Sequence, residues 1–425
     1  MKYQRFIFKD YEFDEATKTA SLHYSYDDQL NFTETFTFDF DYVSFDPAVL
    51  DQALQGLFFI AGVSYYKTFL APNIAVEKGA LSQNDAAFLA QTYQRGLGEF
   101  FYVNKLDPKT PVTFPLSGDA HPLQHTGSGL LVGLGGGKDS LVTVELLRSQ
   151  PKVATWSVGH KEQLEPLVDR VGLPHFWVTR QWDRQLLELN QSGGLNGHIP
   201  ISAVFAAVGS VVAVLSGYKD TVVSNENSAN EPTLTYEGVA VNHQYSKSLD
   251  FETSYQAYLK EHFGDTLGYF SFLRPLSELR IAEGFAKVGF EKYHDVFSSC
   301  NSAYRSTSHA MFWDGTCSKC AFVFLALTSF VDKQALLALF GGKNLLLDAA
   351  LEPTYRQLLG IEGDKPLDCV GEIKESRAAM RLAQSIYSEL TKYEFDLPAD
   401  YDYKALAEHS MPDDLYQIIL ANFAA

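Results

Sequence analysis

With 425 residues, 46% of them hydrophobic and 20% charged, the chain is long enough for two or three domains with substantial cores and has the composition of an ordinary soluble protein. Its net charge of −18 argues against nucleic acid as a partner, because that recognition rests on clustered Lys and Arg. Four cysteines are too few for a disulfide framework in a chain this long and point to reducing surroundings, and residues 2–5 lead into no apolar targeting segment, so a cytoplasmic protein is expected.

In chain order, "TASLHYSY" and "ETFTFDFDYVSF" alternate as strands and residues 47–102 read as helical, so residues 1–125 are expected to form a separate N-terminal α+β unit. Residues 107–129, rich in Pro and Gly, read as a connection. From Leu130 strands and helices alternate: 130–134 as strand, 141–147 as helix, 153–158 as strand, 161–171 as helix, 175–178 as strand, an uncharged helix over 199–218, and 221–224 as strand. That order predicts an α/β domain over 126–340 with a parallel sheet covered on both faces. Residues 199–218 are nearly long enough to cross a bilayer. Their serines, Gly209 and lack of basic flanks fit a helix buried against the sheet instead, and no membrane partner is expected. Residues 341–425 read as a helical C-terminal region.

The turn at 133–140 carries the strongest chemical signal. Three glycines between a buried strand and a helix let backbone N–H groups approach a ligand, and the helix start adds unpaired donors, which makes a phosphate site. The Walker spacing fails at Val132 and Asp139, and the dinucleotide spacing fails at Lys138. The match is to the S-G-G-x-D-S loop of the PP-loop ATP pyrophosphatases, read here as Gly135-Gly136-Gly137-Lys138-Asp139-Ser140, with Gly135 in place of the first serine. This resemblance implies an adenine nucleotide alpha hydrolase-like fold and cleavage of ATP between its α and β phosphates. Lys138 would neutralise phosphate, Asp139 would hold Mg²⁺, and Ser140 would donate a hydroxyl hydrogen bond.

In a parallel sheet, ligands sit at the carboxyl ends of the strands, so Gly135, Gly159-His160 and Asn225-Glu226 are expected at one crevice. The polar run 224–252 follows a buried strand and offers Asn225, Glu226, Glu231, His243, Gln244, Tyr245 and Lys247 toward a substrate. Arg274 and Arg280 have two readings: clamps for a carboxylate or phosphate, or surface arginines paired with Glu278 and Glu283. Cys317-x-x-Cys320 with Cys300 upstream is a partial zinc pattern, with Asp314 or His309 as the fourth ligand; the alternative is free structural or catalytic thiols. This segment resembles that of cyano-deazaguanine synthase, with Asp314 in place of a cysteine.

Taken in order, GGGKDS, GHIP, SNENSAN, VNHQYSKS, RPLSELR, SSCN, the W-D-G-x-C-x-K-C run and KPLDCVG resemble the UDP-N-acetylmuramoyl-L-alanyl-L-glutamate epimerase family over residues 129–371. The resemblance implies ATP-dependent inversion of the terminal L-Glu of a UDP-linked muramoyl dipeptide through an acyl-adenylate, with release of AMP and pyrophosphate, in peptidoglycan precursor synthesis. Adenylation would remove the charge of the α-carboxylate and acidify Cα–H. His243, Lys247, His198, Cys300 and Cys369 are the candidate acid/base groups, His243 first, with His198, Asn225, Glu226, Tyr245 and Arg274 facing substrate. Two rivals stand beside this reading: a PP-loop enzyme adenylating a nucleobase or tRNA, and a nucleotide-binding sensor without turnover.

Overall fold

A computed structural model describes residues 2–304 and 308–423 of the protein. Eleven strands are defined among these residues: β1 (Arg5–Asp14), β2 (Thr19–Tyr26), β3 (Leu30–Phe38), β4 (Asn73–Val76), β5 (Leu130–Gly133), β6 (Val153–Val158), β7 (His175–Gln181), β8 (Asp220–Val223), β9 (Leu234–Tyr236), β10 (Val239–Val241) and β11 (Gly268–Ser271). Nine of them form one sheet in the order β11-β8-β5-β6-β7-β3-β2-β1-β4. The stretch from β11 to β7 is parallel throughout, as the alternation of strand and helix predicts. β11 is a fifth parallel strand hidden in the sequence, because four residues of "GYFS" are too short a run to stand out.

The strands of the N-terminal meander belong to this same sheet. β3 pairs antiparallel with β7, with Phe36 opposite Arg180 and Phe38 opposite Val178. Hydrogen bonding is therefore continuous from the N-terminal strands into the parallel region.

Apolar runs in the central strands feed both faces. Leu130 and Val132 point into one core, whereas Leu131 between them points into the other. That is why β5 reads as unbroken hydrophobicity. The first core, which includes the aromatic side chains of β1 to β3, holds the helices Pro47–Ala61 and Ile201–Ser216. The second holds Lys138–Leu147, Glu278–Val288, Ser318–Leu327 and the C-terminal helices Ile373–Gln384 and Asp413–Phe423.

The helix Ile201–Ser216 is buried over most of its length, as expected for 199–218. Gly209 makes its close approach possible: a Cβ there would lie 2.6 Å from Thr221 Cγ2 and 2.9 Å from Trp156. The segment Pro47–Tyr66 is long and apolar enough to cross a membrane, but 78% of its apolar 18-residue stretch is buried inside the protein, as in a core helix.

Strand order places a switch point in the middle of the sheet. From β5 the chain moves outward to β6 and β7, then crosses back to β8 and β11 on the other side. A crevice outside the carboxyl ends of β5 and β8 follows from this reversal. Gly135 leaves one of these ends and Asn225 leaves the other.

Candidate functional site

The glycine loop is built as its sequence suggests. Gly137 is the N-cap of the helix Lys138–Leu147 and supplies no side-chain cap, so the first amides of the helix stay available to an anion. Gly136 has φ +88°, and a Cβ there would lie 2.2 Å from the Tyr304 hydroxyl. Gly135 has open space where a side chain would point. The loop is held from one side by residues 298–304: Ser298 N–H donates to Gly136 O at 3.0 Å, and the Tyr304 hydroxyl lies 2.7 Å from Gly135 O. The His160 ring meets Tyr304 edge-on at 5.2 Å, which gathers the ends of β5 and β6.

The residues after the loop turn inward. Lys138 is buried, with its ammonium held by Asp139 at 2.5 Å and by buried Glu278. Burial raises the Glu278 carboxyl well above its usual range, with Lys138 pulling the other way. Ser140 Oγ donates to Gly137 O at 3.1 Å, and Thr143 Oγ1 lies 2.8 Å from Ser224 Oγ, joining this helix to the end of β8. Glu226, buried just beyond β8, is close enough for its charge to raise both Glu278 and Lys247.

A second cluster adjoins the loop. The hairpin β9–β10, with Glu237 and Gly238 both at positive φ in its two-residue turn, leads into Asn242. Asn242 Nδ2 donates to Ala229 O at 2.8 Å, and its Oδ1 accepts from Gln244 N at 2.7 Å, fixing the turn that carries His243. His243 Nδ1 is hydrogen-bonded to Glu99, whose Oε2 also lies 3.7 Å from His198 Nδ1. The two imidazole rings are 4.5 Å apart. Lys247 donates to Cys369 Sγ at 3.2 Å, and Cys369 also hydrogen-bonds His243. The charge of Asp139 reaches Lys247 too, so the loop and this cluster share one polar seam.

The electrostatics of the seam favour a thiolate beside an imidazolium. Burial alone would raise the Cys369 thiol, but the Lys247 charge and the His243 hydrogen bond bring it down to about 6. Burial alone would lower His243, but hydrogen bonds with Cys369 and Glu99 raise it to about 9. Burial and the neighbouring His243 charge depress His198 to about 4 and keep it neutral. Glu99, His198 and His243 also stand close enough together to hold a metal ion.

The segment that delivers Cys369 is pinned at both ends. Lys365 Nζ lies 3.6 Å from Glu231, and Asp368 accepts from Asn301 Nδ2 at 3.2 Å and from Ser318 Oγ. Half-buried Cys369 thereby crosses to His243 and Lys247 from the C-terminal region.

Several expected roles change. Arg274 is no substrate clamp: it is fully buried, its guanidinium meets Glu252 at 2.9 and 3.1 Å, and it donates to the carbonyls of Glu226 and Lys247. Every arm is used to hold the backbone beneath the seam. Arg280 pairs with Glu283 at 2.5 Å as expected, but buried rather than on the surface, while Glu278 goes to Lys138. Tyr245 turns away from His243 into the core, its ring under the Arg95 guanidinium at 4.6 Å, and borders a separate cavity of about 460 Å³ lined by Arg95, Asn242 and Asp250. Asn225 uses its carbonyl to accept from Ser271 Oγ at 2.6 Å.

Cys300, Asp314, Cys317 and Cys320 come together, with their ligand atoms all within 4.8 Å of one another. Cys300 stands there and not among the acid/base groups. His309 does not join them: its exposed ring pairs with Glu162. Glu99 is the member of the seam that the sequence did not reveal. It lies on the short helix Gly98–Val103, 144 residues ahead of its partner His243, and no local pattern marks it.

The chain resembles known proteins along most of its length. Residues 1–272 match the family model described as the MurL N-terminal domain, and residues 296–392 match the MurL C-terminal domain. The first match runs through Glu99, the glycine loop, His198, His243 and Lys247; the second contains the cysteine cluster and Cys369. A UDP-N-acetyl-alpha-D-muramoyl-L-alanyl-L-glutamate epimerase from Salinispora tropica is 39% identical over 89% of this chain and 84% of its own length. Another enzyme of that name from Xanthomonas oryzae pv. oryzae is 37% identical over 97% of this chain and 96% of its own length, and one from a Micromonospora species is 37% identical over 89% and 86%. These matches, with similarity along nearly the whole sequence, establish that the chain belongs to the MurL family.

Proposed function

We propose that the protein epimerises the terminal L-glutamate of UDP-N-acetylmuramoyl-L-alanyl-L-glutamate to D-glutamate in peptidoglycan precursor synthesis, through an acyl-adenylate made from ATP. The relatives' names support the substrate and the inversion. The glycine loop with free helix amides supports a PP-loop type of nucleotide site. Gly135, Gly136, Gly137 and Ser140 would cradle the phosphates, and Lys138 would leave Glu278 to meet them. Asp139, at the exposed side of the first helical turn, would hold Mg²⁺, which would offset charge on the departing pyrophosphate. A reaction that draws on ATP belongs in the cytoplasm.

The observation that carries the epimerase reading is Cys369, whose sulfur lies 3.2 Å from Lys247 Nζ and is hydrogen-bonded to His243, contacts that favour its thiolate. Removing a Cα proton next to a carboxylate would place two negative charges together. Once the carboxylate is a mixed anhydride with AMP, the electron pair left at Cα spreads onto a neutral carbonyl oxygen. The Cys369 thiolate, kept charged by the His243 imidazolium hydrogen-bonded to it, takes the Cα proton, and a water-derived proton reaches Cα from the opposite face. Lys247 balances the charge during the exchange. The Cys369 thiol then loses its new proton to water, which restores the thiolate. Water cleaves the anhydride to give the D-glutamyl product and AMP. Glu99 fixes the His243 ring, with neutral His198 beside it.

Incubation with ATP, Mg²⁺ and the UDP-linked L-Ala-L-Glu substrate in D₂O tests this. Expected are AMP, pyrophosphate and a D-glutamyl product with deuterium at Cα. AMP without inversion would leave an adenylating enzyme of another kind, and no AMP would favour a sensor or a nucleobase substrate.

A further inference from the structure

We propose that Cys300, Asp314, Cys317 and Cys320 form a mononuclear zinc centre that clamps the glycine loop on one side and the Cys369 segment on the other. The four ligand atoms come from two segments, Cys300 from one and Asp314, Cys317 and Cys320 from the loop and helix start at 314–320, and all fall within 4.8 Å of one another. Cys317 Sγ and Cys320 Sγ are 3.5 Å apart, and Cys320 Sγ is 3.3 Å from Asp314 Oδ1. A tetrahedral ion with bonds of about 2.3 Å to sulfur has ligand edges of about 3.7 Å. These separations suit one ion and are too short for thiolates spread around an iron–sulfur cluster.

The donor set and its surroundings point the same way. Three thiolates and a carboxylate are ligands that zinc takes, and a closed set of four with no open position is the structural kind. Asp314 is oriented on both oxygens: Oδ2 accepts from Ser302 Oγ at 2.5 Å and Oδ1 from Thr316 N at 2.8 Å. Such outer partners fix a carboxylate ligand in place. Cys317 is also the N-cap of Ser318–Leu327, where unpaired helix amides favour a negative sulfur.

The position of the cluster gives it a task. Two residues before Cys300, Ser298 N–H holds Gly136 O; four residues after it, the Tyr304 hydroxyl covers Gly135 O. Asn301 and Ser318, each next to a cysteine ligand, bind Asp368, the neighbour of Cys369. One ion fixing these turns would set the spacing between the nucleotide loop and the thiolate.

Metal analysis of the full-length protein, purified without chelator, gives the first answer, and cobalt exchange the second. Expected are one zinc per chain and, with cobalt, a thiolate charge-transfer band with tetrahedral visible bands. Asp314→Cys should keep the metal and strengthen that band, and His309→Ala should leave it unchanged. Removing the metal should speed amide exchange at residues 134–138 and 367–370 at least about tenfold and leave the helix Pro47–Ala61 as it was. Protein that takes up no zinc under reconstitution, iron with inorganic sulfide in its place, loss of metal in His309→Ala, or zinc removal without faster exchange would each overturn the proposal. None of these readouts depends on epimerisation, so they stand apart from the fate of the proposed reaction.

Discussion

The two halves of the seam are built in opposite ways. The proposed nucleotide side is one uninterrupted run, Gly135 to Ser140, shaped by a strand end, a glycine with positive φ and a helix start. The proposed acid/base side draws Glu99, His198, His243, Lys247 and Cys369 from four distant stretches, held together by hydrogen bonds from remote partners. A local loop keeps its shape through its own backbone, whereas an assembled cluster depends on remote partners. Substitutions should therefore act differently on the two sides.

The largest effect is expected from Asp139→Ala, which removes the Mg²⁺ ligand proposed for the loop. Both AMP release and inversion should fall about 1,000-fold together, measured by coupled AMP assay and chiral analysis of the glutamate. Arg274→Met should act on stability instead, because it strands buried Glu252 without its partner. A loss of about 3–5 kcal/mol in denaturant unfolding is expected. A loss of activity at unchanged stability would return Arg274 to the substrate.

Glu99→Gln should slow inversion about 100-fold and leave AMP release much less affected, since it disturbs only the assembled half. The pH profile sharpens the same contrast. In the proposed reaction inversion needs Cys369 deprotonated beside a protonated His243, so it should rise through about 6, fall through about 9 and peak between them, with both apparent values belonging to the pair. Glu99 is one of the groups holding His243 high, so the basic limb should move to lower pH in Glu99→Gln. Smallest of all, His309→Ala should change neither activity nor melting temperature, because its ring lies on the surface against Glu162.

Legibility in the sequence follows the same division. The strands 130–134, 153–158, 175–178 and 221–224 and the helix 161–171 are readable because both-face burial writes continuous apolar runs and a helical period into the chain. The pairing of β3 with β7 is not, since alternation in "ETFTF" says that a strand has one buried face and nothing about its neighbour. His243, Lys247, His198 and Cys369 could be named as candidates from residue type and motif order. That Cys369 contacts Lys247 and His243 is a tertiary fact. Glu99 sits in an ordinary amphipathic stretch and acquires its role only when the 98–103 helix is packed beside His198. Arg274 looked like an anion clamp because its partner Glu252 lies 22 residues away, beyond any local pattern.

The central claim is that adenylation and proton exchange are separate tasks of one seam, divided between the glycine loop and Cys369. The most direct measurement is Cys369→Ser in D₂O with ATP, Mg²⁺ and the UDP-linked L-Ala-L-Glu substrate, following AMP and Cα deuterium in the same sample. AMP release should persist within a few-fold while inversion and deuterium at Cα drop about 1,000-fold. Unchanged inversion in this variant would contradict the account, and so would AMP release that fell in step with it.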